Sequence, residues 1–122
     1  MTMRGIRGAV TVDENIREKI WSAAHKLVTE IISLNELQAE NIGAIIFSVT
    51  EDLTAAFPSS AVRQLPELRL IPLFDTREPT IDNSLPLCIR VLILAETDKE
   101  QNKIRHVYLD GTKNLRPDLD CD

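Results

Sequence analysis

Four arginines lie beside apolar stretches of this 122-residue chain: Arg7, Arg63, Arg90 and Arg116. A guanidinium is a planar fork that binds a carboxylate through two hydrogen bonds. Several converging arginines would therefore suit a small substrate that carries more than one carboxylate. Taken one at a time, the arginines on the surface fit a solvated role better, because exposed ion pairs contribute little.

Arg90 is the exception, because it interrupts a continuous apolar run at residues 88–96. The run is rich in Ile, Leu and Val and is bounded by Pro86 and Asp98, which predicts a strand covered on both faces. An unpaired buried charge costs on the order of several kcal/mol. We therefore expect Arg90 to be paired or to face a ligand.

The common catalytic motifs are absent from the sequence. It contains no phosphate-binding glycine loop, no Cys/His spacing typical of metal sites and no nucleophile elbow. His25 and His106 have no carboxylate at a supporting spacing, and His25 lies off the apolar stripe of its predicted helix. We expect neither a metal site nor a hydrolytic triad.

Composition excludes several classes of partner. A formal net charge of −5 with scattered arginines argues against nucleic acid and against an anionic membrane. No stretch approaches the ~20 apolar residues of a membrane span, and residues 1–8 lack the apolar core of a signal peptide. Cys88 in the apolar run and Cys121 near the chain end are poor disulfide partners. We expect a reduced, cytoplasmic protein.

The first half of the chain predicts a strand, a long helix and a second strand. The first strand covers residues 3–10, where Gly8 permits close backbone approach. A capping box at residues 11–14 predicts the start of the helix, and Asn35 its end. The second strand covers residues 43–50, and this order is typical of a right-handed parallel crossover.

The second half of the chain predicts shorter elements. They are a helix over 58–65, an edge strand over 69–74 that contains Pro72, a loop over 75–84, the central strand over 87–96 and a last strand over 104–109. The sum is one α/β (α+β) domain over residues 1–122, with a flexible tail from about residue 112. Its mixed five-stranded sheet has one long helix and one or two short ones. Since one long helix cannot cover both faces of the sheet, another copy of the chain is the simplest cover.

Six short motifs together resemble the small monofunctional class of chorismate mutase. They are RGIRGA at 4–9, FP at 57–58, AVR at 61–63, CIRV at 88–91, IRHVYL at 104–109 and LRPDL at 115–119. Each motif alone is weak, but they fall in the right order from one end of the chain to the other.

The resemblance implies a homotrimer that forms a pseudo α/β barrel, with sheets inside, helices outside and three active sites in clefts between neighbouring subunits. The implied reaction is the Claisen rearrangement of chorismate to prephenate, on the route to phenylalanine and tyrosine, without a cofactor. A trimer agrees with the uncovered sheet face expected above.

Matching positions imply a role for each of four residues. Arg90 would donate to the ether oxygen and to a carboxylate of the substrate. Arg7 would bind a carboxylate, with Tyr108 forming a hydrogen bond nearby. Glu78 would accept from the ring hydroxyl and stabilise the positive ring fragment.

The resemblance also implies a set of substrate-contacting residues around this centre. Phe57 and Leu115 would form walls of the pocket, Arg63 and Arg116 would attract or cover the substrate at its entrance, and Cys88 would contribute to the pocket.

The chain departs from the family pattern at two places. Asp75 stands where the family often has a cysteine that bonds near the ring hydroxyl, and a carboxylate so close to Glu78 would raise one of the two pKa values unless a cation intervenes. Either Asp75 takes over that hydrogen bond, which we favour, or it turns towards Arg77. Ser59 and Ser60 replace the usual Ala and Lys, which puts substrate contacts there in doubt.

Two other interpretations stay open at this point. The first is a non-catalytic trimeric sensor of a carboxylate metabolite, and the second is a small trimeric enamine or imine deaminase. Arg90 together with Glu78 favours the mutase, since a carboxylate sensor has no need of an acid that faces the ring.

Overall fold

The computed structural model describes residues 1–112, in which the strands and helices follow the predicted order. They are β1 (Thr2–Thr11), α1 (Arg17–Leu34), β2 (Ile42–Val49), α2 (Ser59–Arg63), β3 (Leu73–Arg77), β4 (Cys88–Thr97) and β5 (Val107–Leu109). Single turns of 3-10 helix span Ala39–Asn41, Pro66–Leu68, Gln101–Lys103 and Asp110–Thr112. The predicted mixed five-stranded fold with one long and one short helix is confirmed. The predicted tail beyond residue 112 lies outside the described residues.

The strands form one sheet in the order β3-β2-β4-β1-β5. β4 pairs antiparallel with β1 on one side and with β2 on the other. β3 is parallel to β2, and β5 is parallel to β1. The apolar run is therefore the central strand, as predicted, and it separates the two parallel strands that α1 connects.

α1 packs on one face of this sheet and builds the core. Its buried stripe repeats every three or four residues and consists of Ile20, Ala24, Leu27, Val28 and Ile31. From β4, alternate residues such as Ile89 and Ile93 point into the same core and are fully buried. Each large aliphatic side chain buried here contributes about 1.5–3 kcal/mol. α1 ends at Leu34 with Asn35 as its C-cap, which confirms the predicted end.

At Gly8, α1 packs closely against β1. A Cβ atom at this position would lie 2.8 Å from Ile31 Cδ1 and 2.9 Å from the backbone oxygen of Val107. Such distances are shorter than any ordinary van der Waals contact, so a side chain would force α1 or β5 away from β1. Close approach at Gly8, which the sequence predicts, is confirmed.

α1 begins later than the capping box at residues 11–14 predicts. β1 continues through Thr11, which pairs with Cys88 of β4. The helix begins at Arg17, and Ile16 occupies the N-cap position without a capping hydrogen bond from its side chain. The predicted start is wrong because pairing with β4 keeps Thr11 extended, and a local sequence pattern does not reveal that pairing.

β3 and β5 differ in extent from their predictions. β3 begins at Leu73, after Pro72, and continues through Asp75 to Arg77, which the sequence pattern assigns to a loop. Pro72 has no N–H for the ladder, and the predicted edge position of this strand is confirmed. β5 keeps only the last three residues of the predicted strand at 104–109.

The face of the sheet opposite α1, called here the open sheet face, is apolar and only partly buried. Leu92 and Leu94 of β4 and Ile46 of β2 are half-buried on it, and Phe74 of β3 is 65% exposed. Coverage of β4 on both faces, which its continuous apolar run predicts, is therefore not achieved by the described chain alone.

Residues 1–112 contain no helix that is both long and apolar enough to cross a lipid bilayer.

We predict that Gly8→Ala destabilises the protein by about 1–3 kcal/mol, because the added methyl group overpacks the contact between α1 and β1. Gly43→Ala is the matched control, since its Cβ would meet nothing closer than 3.7 Å; its effect should stay within about 0.5 kcal/mol. Urea midpoints at one protein concentration measure both changes. Equal midpoints for the two variants would contradict the close packing at Gly8.

Candidate active site

The guanidinium of Arg90 is paired with the carboxylate of Glu78. Arg90 Nε lies 2.6 Å from Glu78 Oε1, and the two side chains are 31% and 14% exposed. Within residues 1–112 neither atom forms a well-aligned hydrogen bond, so the contact is mainly electrostatic. Arg90 therefore has the partner that a charge in the central strand requires.

Strand pairing brings Arg7, Arg90 and Tyr108 together on the open sheet face. Arg90 pairs with Ala9 of β1 and with Ser48 of β2, while Tyr108 of β5 also pairs with Ala9. Arg7 is two residues from Ala9, so its side chain leaves β1 on the same face. All five residues line a cavity of about 360 Å³.

The charges around this cavity favour an anion. Arg7 and Arg90 both line it, and of these two guanidinium groups that of Arg90 is paired with a carboxylate, that of Glu78. The backbone N–H of Arg7 donates to Nδ1 of His106 at 2.9 Å, which joins β1 to the segment that precedes β5. Such an excess of positive charge on a partly apolar surface suits a small carboxylate ligand.

Cys88 lies at the base of the site as an uncharged packing residue. Its side chain is fully buried and packs with Ala9 and Tyr108. Burial raises the pKa of the Cys88 thiol to about 11, and the charges of Arg90 and Glu78 act on it in opposite directions. At neutral pH the thiol is therefore protonated and unreactive.

Phe57 and Asp75 line a different cavity, of about 420 Å³, that lies beside α2 and β3. The ring of Phe57 is 68% exposed. Its backbone oxygen accepts a hydrogen bond from Nε1 of Trp21 in α1 at 3.1 Å. The segment that leads into α2 is thereby tied to the long helix, while the ring itself points away from the core.

Asp75 faces the α2 side of the sheet. It pairs with Phe47, whose side chain is fully buried in the core, so its carboxylate leaves β3 on the core side. There it accepts hydrogen bonds from the backbone N–H of Ser59 at 3.2 Å and from the hydroxyl of Ser59. Among the described residues no ion pair joins Asp75 to Arg77.

A single chain therefore brings together only part of the predicted site. Arg7, Glu78, Arg90, Cys88 and Tyr108 lie at or beside one cavity, and Phe57 and Asp75 line another. Arg63 is exposed at the C-terminal end of α2 and lines neither cavity. Leu115 and Arg116 lie outside the described residues.

A family model described as chorismate mutase type I matches residues 3–119 of the chain. The chain is 48% identical over 119 residues to the chorismate mutase AroH of Thermus thermophilus, a match that covers 97% of each sequence. It is 40% identical over 119 residues to the chorismate mutase AroH of Bacillus subtilis, a match that covers 98% of this chain and 94% of that one. The chain belongs to the type I chorismate mutase family.

A solved structure supports the same assignment. The chorismate mutase from Clostridium thermocellum superposes with a TM-score of 0.87 at 41% identity, covering 89% of this chain and 96% of that one. The resemblance drawn from the six separated motifs is thus confirmed for the family and for the fold.

Sequence reasoning missed several residues that border the site of this chorismate mutase family member. Ser48 pairs directly with Arg90. Ser59, which the sequence marks only as a departure from the family pattern, holds the carboxylate of Asp75. Thr50 and Asp52 bond the backbone at the start of β4. A Thr followed two residues later by Asp after a predicted strand is a turn signal, but the segment that such a turn contacts cannot be read from the pattern.

No three His, Cys, Asp or Glu side chains within residues 1–112 are grouped so that they could hold a metal ion.

We predict that Cys88 resists alkylation in the folded protein. In a Cys121→Ser background, iodoacetamide should react with Cys88 about 100-fold more slowly near pH 8 than with the urea-unfolded chain, because burial raises the pKa of this thiol from 9.0 to about 11. The rate should rise as the pH approaches 11, since only the thiolate reacts. A folded rate equal to the unfolded one would contradict the buried position of the thiol.

Proposed function

We propose that this protein converts chorismate to prephenate at the Arg90–Glu78 pair. The observation that carries the proposal is the 2.6 Å contact between these two side chains, beside a cavity that Arg7 and Tyr108 also line. The proposal is supported by membership of the chorismate mutase family and by curated relatives at 40% and 48% identity. The proposal goes beyond family membership because it assigns the reaction to particular residues.

The chemistry explains why the sequence has no motif for a nucleophile or a general base. A Claisen rearrangement is pericyclic, so no proton is transferred and no covalent adduct with the enzyme forms. The protein can hold the dicarboxylate in its compact reactive shape and stabilise the charges that develop as the ether bond breaks. Fixed charged groups on a sheet are suited to both tasks.

Arg90 and Arg7 bind the two ends of the substrate in this proposal. Negative charge grows on the ether oxygen, and Arg90 donates to this oxygen and to a carboxylate. Arg7 binds a carboxylate, and Tyr108 forms a hydrogen bond near it. The shared cavity of about 360 Å³ supports this division, because all three side chains border it.

Glu78 stabilises the opposite charge. The ring fragment becomes positive as the ether bond breaks, and a carboxylate that accepts from the ring hydroxyl lies beside that charge. Glu78 is 14% exposed, so water screens its field only partly. Arg90 and Glu78 are thus complementary to the transition state. The positive group lies beside the developing negative charge, and the negative group lies beside the developing positive charge.

A neighbouring copy of the chain completes the pocket in this proposal. Phe57 and Arg63 are exposed and lie apart from the Arg90 cavity, and the apolar open sheet face is only partly buried by residues 1–112. A homotrimer that closes as a pseudo α/β barrel would bury that face and bring Phe57, Arg63 and Asp75 of one subunit to Arg90 of the next. Head-to-tail contacts that close into a ring generate such an assembly.

A cytoplasmic location belongs to the same proposal, supported by the buried, free thiol of Cys88. A non-catalytic sensor of a carboxylate metabolite is the alternative function, and it would bind chorismate without consuming it. The family match does not favour a deaminase.

We predict that Arg90→Leu lowers kcat/KM for chorismate by about 10²- to 10³-fold or more, because it removes the donor to the ether oxygen. Loss of the ultraviolet absorbance of chorismate measures turnover. Arg69→Leu is the matched control, since Arg69 is exposed and lines neither cavity. Wild-type protein that consumes chorismate no faster than the uncatalysed background would reject the enzyme, and equal activity of the two variants would reject the role of Arg90.

We predict that two inactive variants restore each other if the site is shared between subunits. An Arg90→Leu subunit still offers Phe57, and a Phe57→Asp subunit still offers Arg90, so refolding them together at 1:1 should rebuild roughly a quarter of the sites. Each variant refolded alone is the control, and light scattering gives the mass of the assembly. No recovery in the mixture, or a stable monomer, would contradict the shared site.

A further inference from the structure

The turn that follows β2, at residues 50–52, joins both segments that carry the ion pair. On one side it holds the loop of Glu78. The backbone N–H of Glu78 donates to the oxygen of Val49 at 2.8 Å, and the hydroxyl of Thr80 donates to the carboxylate of Glu51 at 3.1 Å. The backbone around Glu78 is therefore fixed to the end of β2.

On its other side the same turn holds the start of β4. The backbone N–H of Thr50 donates to the oxygen of Cys88 at 3.1 Å, and the N–H of Cys88 donates to the Thr50 hydroxyl oxygen at 3.0 Å. Thr50 is 9% exposed, so water competes little for these bonds. Cys88 precedes Arg90 by two residues, and its position sets where the guanidinium leaves the strand.

Asp52 secures an unusual backbone conformation at the residue before β4. Leu87 has a φ of 51°, in the left-handed region that non-glycine residues seldom occupy. Its N–H points at both carboxylate oxygens of Asp52, at 3.2 and 3.0 Å, and the Thr50 hydroxyl donates to Asp52 Oδ1 at 2.5 Å. A conformation of this kind persists only where its surroundings hold it, and the hydrogen bond from the Leu87 N–H to the side chain of Asp52 is such a constraint.

We propose that Asp52 and Thr50 are positioning residues for the rearrangement. They keep Leu87 left-handed and the start of β4 against the end of β2, and this arrangement sets the distance between Arg90 and Glu78. Asp52 does not line the cavity of Arg7, Arg90 and Tyr108, and its oxygens are already used by Leu87 and Thr50. The inference rests on the proposed roles of Arg90 and Glu78.

Three variants test the inference in the chorismate assay. Asp52→Ala removes the acceptor of the Leu87 N–H and should lower kcat about tenfold or more, with KM changed less than about threefold, because a displacement near 1 Å can cost up to ~10² in rate. Asp52→Asn keeps an acceptor oxygen and should stay within about threefold of the wild-type kcat. Asp98→Ala is the control for loss of an acidic charge, since Asp98 is 90% exposed beside the N-terminus; it should stay within about twofold.

Two results would overturn the inference. One is a kcat for Asp52→Ala equal to that of Asp98→Ala. The other is an equal loss in Asp52→Ala and Asp52→Asn, which would indicate that charge matters and not the hydrogen bond. If Asp52→Ala does not fold, the kcat of Thr50→Val is compared with that of Thr50→Ser, which keeps the hydroxyl. A loss of kcat in Thr50→Val alone would support the inference, and equal kcat values in the two variants would overturn it.

Arg90→Leu in the same assay separates this inference from the proposed function. An active Arg90→Leu variant would reject the proposed role of Arg90, whatever Asp52 does, and wild-type protein without activity would reject the proposed function. An inactive Arg90→Leu variant together with a normal Asp52→Ala variant would reject the positioning role alone.

Discussion

A guanidinium in the central strand of a sheet is the constraint on which the rest of this structure depends. β4 has hydrogen-bonded neighbours on both sides, so Arg90 can place its charge only above or below the sheet. α1 fills one face with aliphatic side chains, which leaves the open sheet face as the only tolerable environment for that charge. There the carboxylate of Glu78 offsets it at 2.6 Å. The demands of folding and of the proposed catalysis thus fall on the same pair of side chains.

The sheet suits a reaction that needs fixed charges and not mobile protons. The backbone positions of Arg7, Arg90 and Tyr108 are set by ladder hydrogen bonds on neighbouring strands. Glu78 lies just beyond β3, yet its own N–H extends the bonding of that strand to β2. Under the proposed function these positions cost little reorganisation when substrate arrives, so the electrostatic stabilisation that we assign to them is largely preformed.

Local sequence patterns predicted the elements whose signals are periodic and missed those fixed by distant pairing. The apolar stripe of α1 and the continuous run of β4 identified both elements and the unusual charge of Arg90, because burial imposes such patterns directly. Thr11 looked like a helix cap, but it pairs with Cys88, which lies far along the chain. The left-handed Leu87 carries no local signal, since leucine disfavours that conformation and the hydrogen bonds that hold it come from Asp52 and Val12, which are distant in sequence. The contacts of Thr50 and Asp52 with the start of β4 therefore could not be predicted from the sequence, because they depend on the strand pairing. The six motifs, in contrast, were enough to identify the family.

The placement of Asp75 shows how strand register decides the electrostatics of the site. The sequence puts this acid three residues before Glu78, where two carboxylates on one face would repel each other. Because β3 includes Asp75, the backbone from Asp75 towards Glu78 is extended. Side chains an odd number of residues apart on extended backbone point to opposite faces of the sheet. Glu78 reaches Arg90 on the open sheet face, while Asp75 bonds Ser59 at the start of α2. Ser59 and Asp75, which the sequence predicts to depart from the family pattern, are therefore joined by one interaction. It ties β3 to the helix that bears Arg63, and it keeps the carboxylate of Asp75 apart from that of Glu78.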